Sequence, residues 1–360
     1  MLFDEFNIGP LRLRNRIVRA ATYEKRADED GHVTDSLVEL YSALAKGGAG
    51  LIITGAALVH PSGRYLRKML SAHSDIYIEG LRRIPDAVHE GGAQAALQIN
   101  HGGRQCTPLI LGGQDPAGPS AVHNIITGAT PRPMEDSEIW DTVEAFASAA
   151  FRARSAGFDA VEIQAAHGYL ISSFLSPHTN LRDDYWGGDH LRRTHLLEET
   201  LKAIRRATGE DFPVIVKLNA FDHMDRGLMP QESADIAAMC EDMGASAVEV
   251  SGGMRESEQE ALPPEDEEGF YGQAGALFRQ RLSIPVILTG GFRSRESMLG
   301  ALERGEADLI GLSRALIREP ALPRLMQEGK QRADCDGCSM CSKYSRLKHI
   351  LCPKAQAQKG

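Results

Sequence analysis

Four cysteines near the C-terminus, Cys335, Cys338, Cys341 and Cys352, stand in the run CDGCSMCSKYSRLKHILCPK with the spacing C-x2-C-x2-C-x10-C. Thiolates two residues apart can converge on one centre, and a fourth from a short loop can close it. An iron–sulfur cluster needs four such ligands, and so does tetrahedral zinc. A proline directly after the last cysteine fits ferredoxin-type runs. The two other cysteines, Cys106 and Cys240, carry no such pattern and suit core packing or loop structure.

A second constellation lies in EIQAAHGYLISSFLSPHTNLRDDYWGGD, where Gln164, His167 and Tyr169 fall within six residues. A phenol of pKa ~10 can donate a proton to a carbanion formed by hydride addition. Two neutral donors can hold a carbonyl or nitro oxygen and polarise the adjoining alkene. The same residues could also form an ordinary turn with a satisfied histidine. TGG (Thr289–Gly291) and GLSRA (Gly311–Ala315) offer an anion site, because glycines let backbone N–H groups approach and Arg314 adds a fixed charge. SGG (Ser251–Gly253) could contribute or be a plain turn. Lys217 could stabilise a ligand anion or form a salt bridge across the barrel top. Gln98 could bond a heterocycle edge or a neighbouring loop, and His101 carries no clear signal.

These residues must be positioned by a repeating unit of apolar run, loop and amphipathic helix. The runs are Ile17–Thr22, Gly50–Ala57, Gln94–Asn100, Ala160–Ala166, Pro213–Ala220, Ala247–Gly253, Pro285–Gly291 and Leu309–Ala315. Helical patterns such as SLVELYSALAKGG, TVEAFASAAFRARSAG, HLLEETLKAIRRATG and SADIAAMCEDMGA lie between them, several ending in glycine. Near-continuous apolar strands alternating with helices mean a parallel sheet. Eight units, none opening with G-x-G-x-x-G, predict a closed (β/α)8 TIM barrel rather than a doubly wound sheet. The polar residues then fall at the C-terminal mouth, where barrel active sites sit. FNIGPLRLRN reads as a hairpin over the opposite end. Two insertions, Gly102 to about Asp136 and an acidic one from about Met254 to Glu268, should overhang the mouth.

Composition excludes other classes. The 360 residues are 42% hydrophobic, enough for a large core, and the net charge of -9 with no basic stripe argues against nucleic acid. MLFDEFNIGP lacks a basic n-region and an apolar h-region, and the longest apolar run is too short to cross a bilayer. The expectation is a cytoplasmic protein, in which clustered cysteines read as a metal site rather than disulfides. Residues 1–330 should form the barrel and 331–360 a cysteine-rich extension.

Taken in register, PLRLRNRIVRAATYE, LQINHGGRQ, EIQAAHGYLISSFLSPHTNLRDDYWGG, PVIVKLN, VEVSGGM, PVILTGGFRS and IGLSRALIREP resemble the Old Yellow Enzyme family of FMN-dependent oxidoreductases over nearly the whole chain. The four-cysteine tail is similar to that of the branch containing 2,4-dienoyl-CoA reductase and trimethylamine dehydrogenase, where it holds a [4Fe–4S] cluster near the flavin. The resemblance implies FMN at the mouth, with its phosphate on Gly290, Gly291, Ser313 and Arg314. It places the Ala20, Ala21, Thr22 and Tyr23 backbone along the isoalloxazine, Gln98 on its pyrimidine edge and Lys217 near N1 and C2=O. Gln164 and His167 match the pair that holds the substrate oxygen, and Tyr169 matches the proton donor. Three positions depart from the common pattern: Gln164 where histidine is usual, Tyr23 where Cys or Thr is common, and Lys217 where arginine is common.

The reaction implied is hydride transfer from NADH or NADPH through flavin N5 to an α,β-unsaturated carbonyl or dienoyl substrate. An alternative is single-electron exchange with a partner protein through the cluster. A remote one is a non-redox phosphate-binding barrel with structural zinc. Zinc or an empty tail site is the alternative within the flavin reading. The family also implies a homo-oligomer.

Overall fold

The computed structural model describes residues 1–257, 267–343 and 349–357. The expected acidic insertion falls largely on residues 258–266, and part of the cysteine-rich segment on 344–348; both stretches lie outside the described residues.

Eight parallel strands close into a barrel: β1 (Ile17–Arg19), β2 (Leu51–Ile53), β3 (Gln94–Asn100), β4 (Ala160–Ala165), β5 (Val214–Asn219), β6 (Ala247–Ser251), β7 (Val286–Thr289) and β8 (Leu309–Leu312). Each pairs with the next, and β8 returns to β1. All eight apolar runs become strands. Several runs extend past the strand at its C-terminal end, because there the chain leaves the ladder to form the mouth.

Helices α1 (Asp35–Lys46), α2 (Ile78–Glu90), α3 (Asp136–Ser155), α4 (His190–Thr208), α5 (Pro230–Asp242), α6 (Gly272–Arg281), α7 (Arg295–Glu303) and α8 (Arg314–Arg318) follow the strands in turn. Two begin earlier than their apolar periodicity. α3 starts at a capping box in which Glu138 and Glu135 satisfy each other's backbone N–H groups. α4 starts where the Asp189 side chain accepts from Arg192 N at 2.9 Å. Caps are polar, so the periodicity of the apolar face does not reveal them.

Strand residues alternate between two cores. Ile52, Ala95, Leu97, Val161, Ile163, Val216, Val248 and Leu288 pack outward with the helices. Val18, Leu51, Ile53, Ala96, Ala160, Ile215, Ala247, Ile287 and Leu309 form a separate apolar cluster inside, and Ile8, Leu11 and Leu13 join it. Those three come from the antiparallel hairpin Phe6–Ile8/Leu11–Leu13, which closes the N-terminal end of the barrel. Two residues further along β3 to β7 the inward positions turn polar: Gln98, Glu162, Lys217, Glu249 and Thr289. The plugged end stabilises the barrel and the polar layer supports the mouth. No helix among the described residues is long and apolar enough to cross a membrane.

Candidate active site

The β4 ladder ends at Ala165, and Ala166 N donates to Gln164 Oε1 at 3.1 Å. His167 then adopts φ 63° and Gly168 φ 74°. A left-handed histidine costs roughly 1–2 kcal/mol, and two contacts hold it there. Its backbone N–H donates to Asn219 Oδ1 at 3.0 Å, and its ring Nε2 lies 2.9 Å from Ser251 Oγ. Asn219 is itself oriented, since its Nδ2 donates to Asp222 Oδ1 at 2.9 Å. The turn delivers Tyr169 to the cap position of the short helix Leu170–Leu175, its ring centroid 4.7 Å from that of Tyr65. Gln164, His167 and Tyr169 thus share one strand end. Asn219 was not among the expected site residues; its signal is a lone amide closing the apolar run of β5.

A cavity of about 440 Å³ opens here, within the range of small-molecule sites. His167 and Tyr169 line it with Ser251 at the end of β6, Gly252 and Gly253 after it, Gly291 after β7, and Ser313 and Arg314 after β8. The glycines are needed. A Cβ on Gly291 (φ 73°) would lie 2.6 Å from the Phe270 ring, and one on Gly311 2.3 Å from Thr289 Oγ1. His223, Arg255 and Tyr271 line the same space and carried no signal in the sequence.

Of the other expected residues, Ala20–Tyr23, Gln98, Gln164, Lys217 and Gly290 do not line the cavity itself. Ala20 N donates to Leu312 O at 3.1 Å, and Thr22 Oγ1 lies 2.8 Å from Ser313 Oγ, which ties Ala20–Tyr23 to the β8 loop. The Tyr23 hydroxyl donates to Arg67 O, and burial pushes it up to about 12. Gln98 Nε2 donates to Glu162 Oε1 and Lys217 Nζ to Glu249 Oε1, each at 2.6 Å. Both partners are single carboxylates inside apolar runs, AVEIQ and AVEVS, and sequence reasoning passed over them.

Burial, and then the Lys217 charge, hold His167 at about 3. Desolvation penalises the imidazolium, so the ring stays neutral as pH falls from 8 to 5. Imidazole NMR should show the His167 signals, assigned with His167→Gln, unmoved over that range. A midpoint near 6.5 would contradict this environment.

The match to known proteins is broad. The profile of the NADH:flavin oxidoreductase / NADH oxidase family covers residues 1–333. The chain is 37% identical over 343 residues to an NADH oxidase of Thermoanaerobacter brockii, covering 94% of this chain and 53% of that one. The chain belongs to the NADH:flavin oxidoreductase / NADH oxidase family.

Its fold is that of the Old Yellow Enzyme members of this family. A 2-naphthoyl-CoA reductase complex superposes with a TM-score of 0.88 at 29% identity, covering 91% of this chain and 52% of the other. The Old Yellow Enzyme homologue of Zymomonas mobilis gives 0.81 at 26% identity, covering 98% of each chain. The chain spans about half the length of the NADH oxidase and of the naphthoyl-CoA reductase.

The family profile ends at residue 333, just before the cysteine-rich segment. Cys335, Cys338, Cys341 and Cys352 line one small cavity together with Arg314, Arg318 and Lys354. No group of three or more His, Cys, Asp or Glu among the described residues is arranged to hold a metal ion. The segment is fastened to the mouth: Arg314 Nη1 donates to Gly337 O and to Ser339 Oγ, both at 2.7 Å, and Ile350 N donates to Glu24 O at 3.1 Å. Arg314 and Ser339 line both this segment's surroundings and the main cavity. Cys106 and Cys240 are fully buried and their thiols are pushed up by desolvation, as core cysteines are.

Proposed function

We propose that the chain is an FMN-dependent NAD(P)H oxidoreductase that reduces alkenes activated by a carbonyl group. The observation that carries this is the convergence of His167 and Tyr169, just past β4, with the glycine-rich ends of β6, β7 and β8 on one cavity, Gln164 standing at the same strand end. FMN, when bound, supplies the two-electron chemistry between the nicotinamide and the alkene. The backbone at Gly290, Gly291 and Ser313, with the Arg314 guanidinium, would hold its phosphate. Its ring edge would meet Ala20–Tyr23, with Gln98 and Lys217 supporting it from the polar layer.

The chain's own residues do the rest. Gln164 spends Oε1 on Ala166 N, leaving its Nε2 N–H groups for a ligand. With Ser251 Oγ as the donor to His167 Nε2, 2.9 Å away, the neutral ring would carry its proton on Nδ1. Both residues can then donate to the substrate's carbonyl oxygen and stabilise the charge that develops there. Tyr169 donates its phenolic proton to the α-carbon. The phosphate assignment is tested by titrating flavin-free protein with FMN and with riboflavin, following flavin fluorescence. FMN should bind at least 100-fold tighter; equal affinities would remove the phosphate from this site.

The cysteine segment suits a [4Fe–4S] cluster better than zinc. Each thiolate of a cubane binds a different iron, so four cysteines around one cavity need not close to single-ion distances. Cys338→Ser should abolish iron and spare FMN, as read by metal and flavin analysis of anaerobically purified protein. Iron unchanged by the substitution would remove Cys338 from the ligand set. One observation favours a second reading, in which electrons also leave singly to a partner protein: Arg314 touches both the cavity and the cysteine segment, so the two centres would be neighbours.

A further inference from the structure

Beneath the cavity lies a ring of inward side chains in which the proposed reaction uses Gln98 and Lys217 but leaves Glu162 and Glu249 without a role. Glu162 and Glu249 are 0% exposed, and Gln98 and Lys217 are 3% exposed. Strand register sets Glu162 beside Gln98, and Lys217 beside both Gln164 and Glu249. Glu249 Oε1 accepts from Lys217 Nζ at 2.6 Å and from Thr289 Oγ1 at 2.8 Å. Glu162 Oε1 accepts only a neutral amide, Gln98 Nε2, at 2.6 Å. The second oxygen of each carboxyl, Glu162 Oε2 and Glu249 Oε2, is buried without a conventional donor.

Counting charge decides the arrangement. The ring holds two carboxyl groups and one ammonium. Two ionised carboxylates would leave a net negative charge in a dry interior and set two acceptor oxygens against each other, a cost of several kcal/mol. One added proton makes the ring neutral and gives the orphaned oxygens an O–H between them. The proton belongs on Glu162, because Glu249 has the lysine and the threonine. Desolvation and the Glu249 charge raise Glu162 well above its ordinary value; at Glu249 desolvation pushes upward too, but the Lys217 charge and the hydrogen bonds outweigh it and leave that carboxyl lowered. The other titratable groups that act on the ring are His167, neutral for the reason given above, and the Tyr169 phenol.

We infer that Glu162 and Glu249 are positioning residues that share one proton and cancel the charge of Lys217, so that a flavin bound above them meets a neutral layer and not a bare cation. The inference rests on the FMN reading for its consequence, but not for the proton itself. An unopposed cation beside the flavin favours its anionic reduced form; a neutral layer withholds that help. Either carboxylate alone can balance Lys217. Each single substitution, Glu162→Gln or Glu249→Gln, should therefore leave the flavin potential near its starting value, because the remaining carboxyl ionises. Only the double substitution strands the lysine.

Infrared spectroscopy of the protein in H2O and D2O reads the shared proton directly. At pH 8 the unaltered chain should show a buried carboxylic-acid C=O band that shifts in D2O, and both single variants should lack it. A band that survives in both belongs to another group, Glu24 being the candidate since burial holds it at about 7, and would overturn the inference, as would no band at all. Spectroelectrochemistry of the flavin-loaded variants reads the consequence. The double variant should raise the ratio of reduced to oxidised flavin at fixed potential at least tenfold, about 30 mV for a two-electron couple. Flavin that binds normally with an unchanged potential sinks the inference alone. Failure of the unaltered protein to bind flavin sinks the FMN reading and leaves the infrared result standing.

Discussion

Tyr169→Phe is expected to slow reoxidation of the reduced enzyme by an α,β-unsaturated ketone by roughly 10²-fold or more, the usual worth of a positioned proton donor. Reduction by NAD(P)H should be unchanged. The substitution isolates the hydroxyl, because a phenylalanine ring keeps the contact with Tyr65 at 4.7 Å between centroids. The backbone is held independently, by the left-handed turn at His167 and Gly168 and by Leu170 N donating to His101 O at 3.1 Å. Stopped-flow measurement of the two half-reactions separates the outcomes. Equal slowing of both would mean that Tyr169 shapes the nicotinamide site instead of delivering a proton.

The largest expected effect on stability lies at the rim. Arg104, in the first insertion, forms an ion pair with Glu256, in the second, and the two side chains are 1% and 2% exposed. Arg104 also donates to Val122 O at 3.3 Å and His123 O at 3.1 Å, so one guanidinium gathers three segments over the mouth. Arg104→Met leaves the Glu256 carboxylate buried and unpaired, which should cost about 3–5 kcal/mol. Adding Glu256→Gln should recover part of that loss, because the stranded charge is gone while the lost donors to Val122 and His123 are not replaced. Chemical denaturation of the two variants checks this. A single variant within 1 kcal/mol of the unaltered protein would mean that water reaches the pair, an outcome at odds with its burial.

The barrel was legible because strands buried on both faces must be apolar throughout, and eight such runs have few other solutions. The hairpin plug was legible from its alternation, Ile8, Leu11 and Leu13 facing in with Arg12 facing out. The true starts of α3 and α4 were not, since Glu135 and Asp189 are polar residues outside the periodic face. The β4 constellation could be read from spacing, but not the turn that makes it work: its left-handed histidine depends on Asn219 and Ser251, which lie 52 and 84 residues away in sequence. Glu162 and Glu249 went unnoticed for the converse reason. A lone carboxylate in an apolar run reads as an interruption until register places it against Gln98 or Lys217. Of the two readings of Lys217, a salt bridge and a ligand contact, the structure shows the first, to a partner the sequence did not nominate. The cysteine spacing points to a metal, while the choice between iron–sulfur and zinc depends on thiolate geometry that spacing does not encode.

The central claim is that this barrel carries electrons from a nicotinamide to an activated alkene on a flavin held at its mouth. Its most direct test is the absorption spectrum of the FMN-loaded protein, followed anaerobically through addition of NADH or NADPH and then of 2-cyclohexen-1-one. The account predicts that one nicotinamide bleaches the flavin bands and that the enone restores them. A protein that takes up no FMN, or whose bound flavin neither nicotinamide reduces, would contradict it.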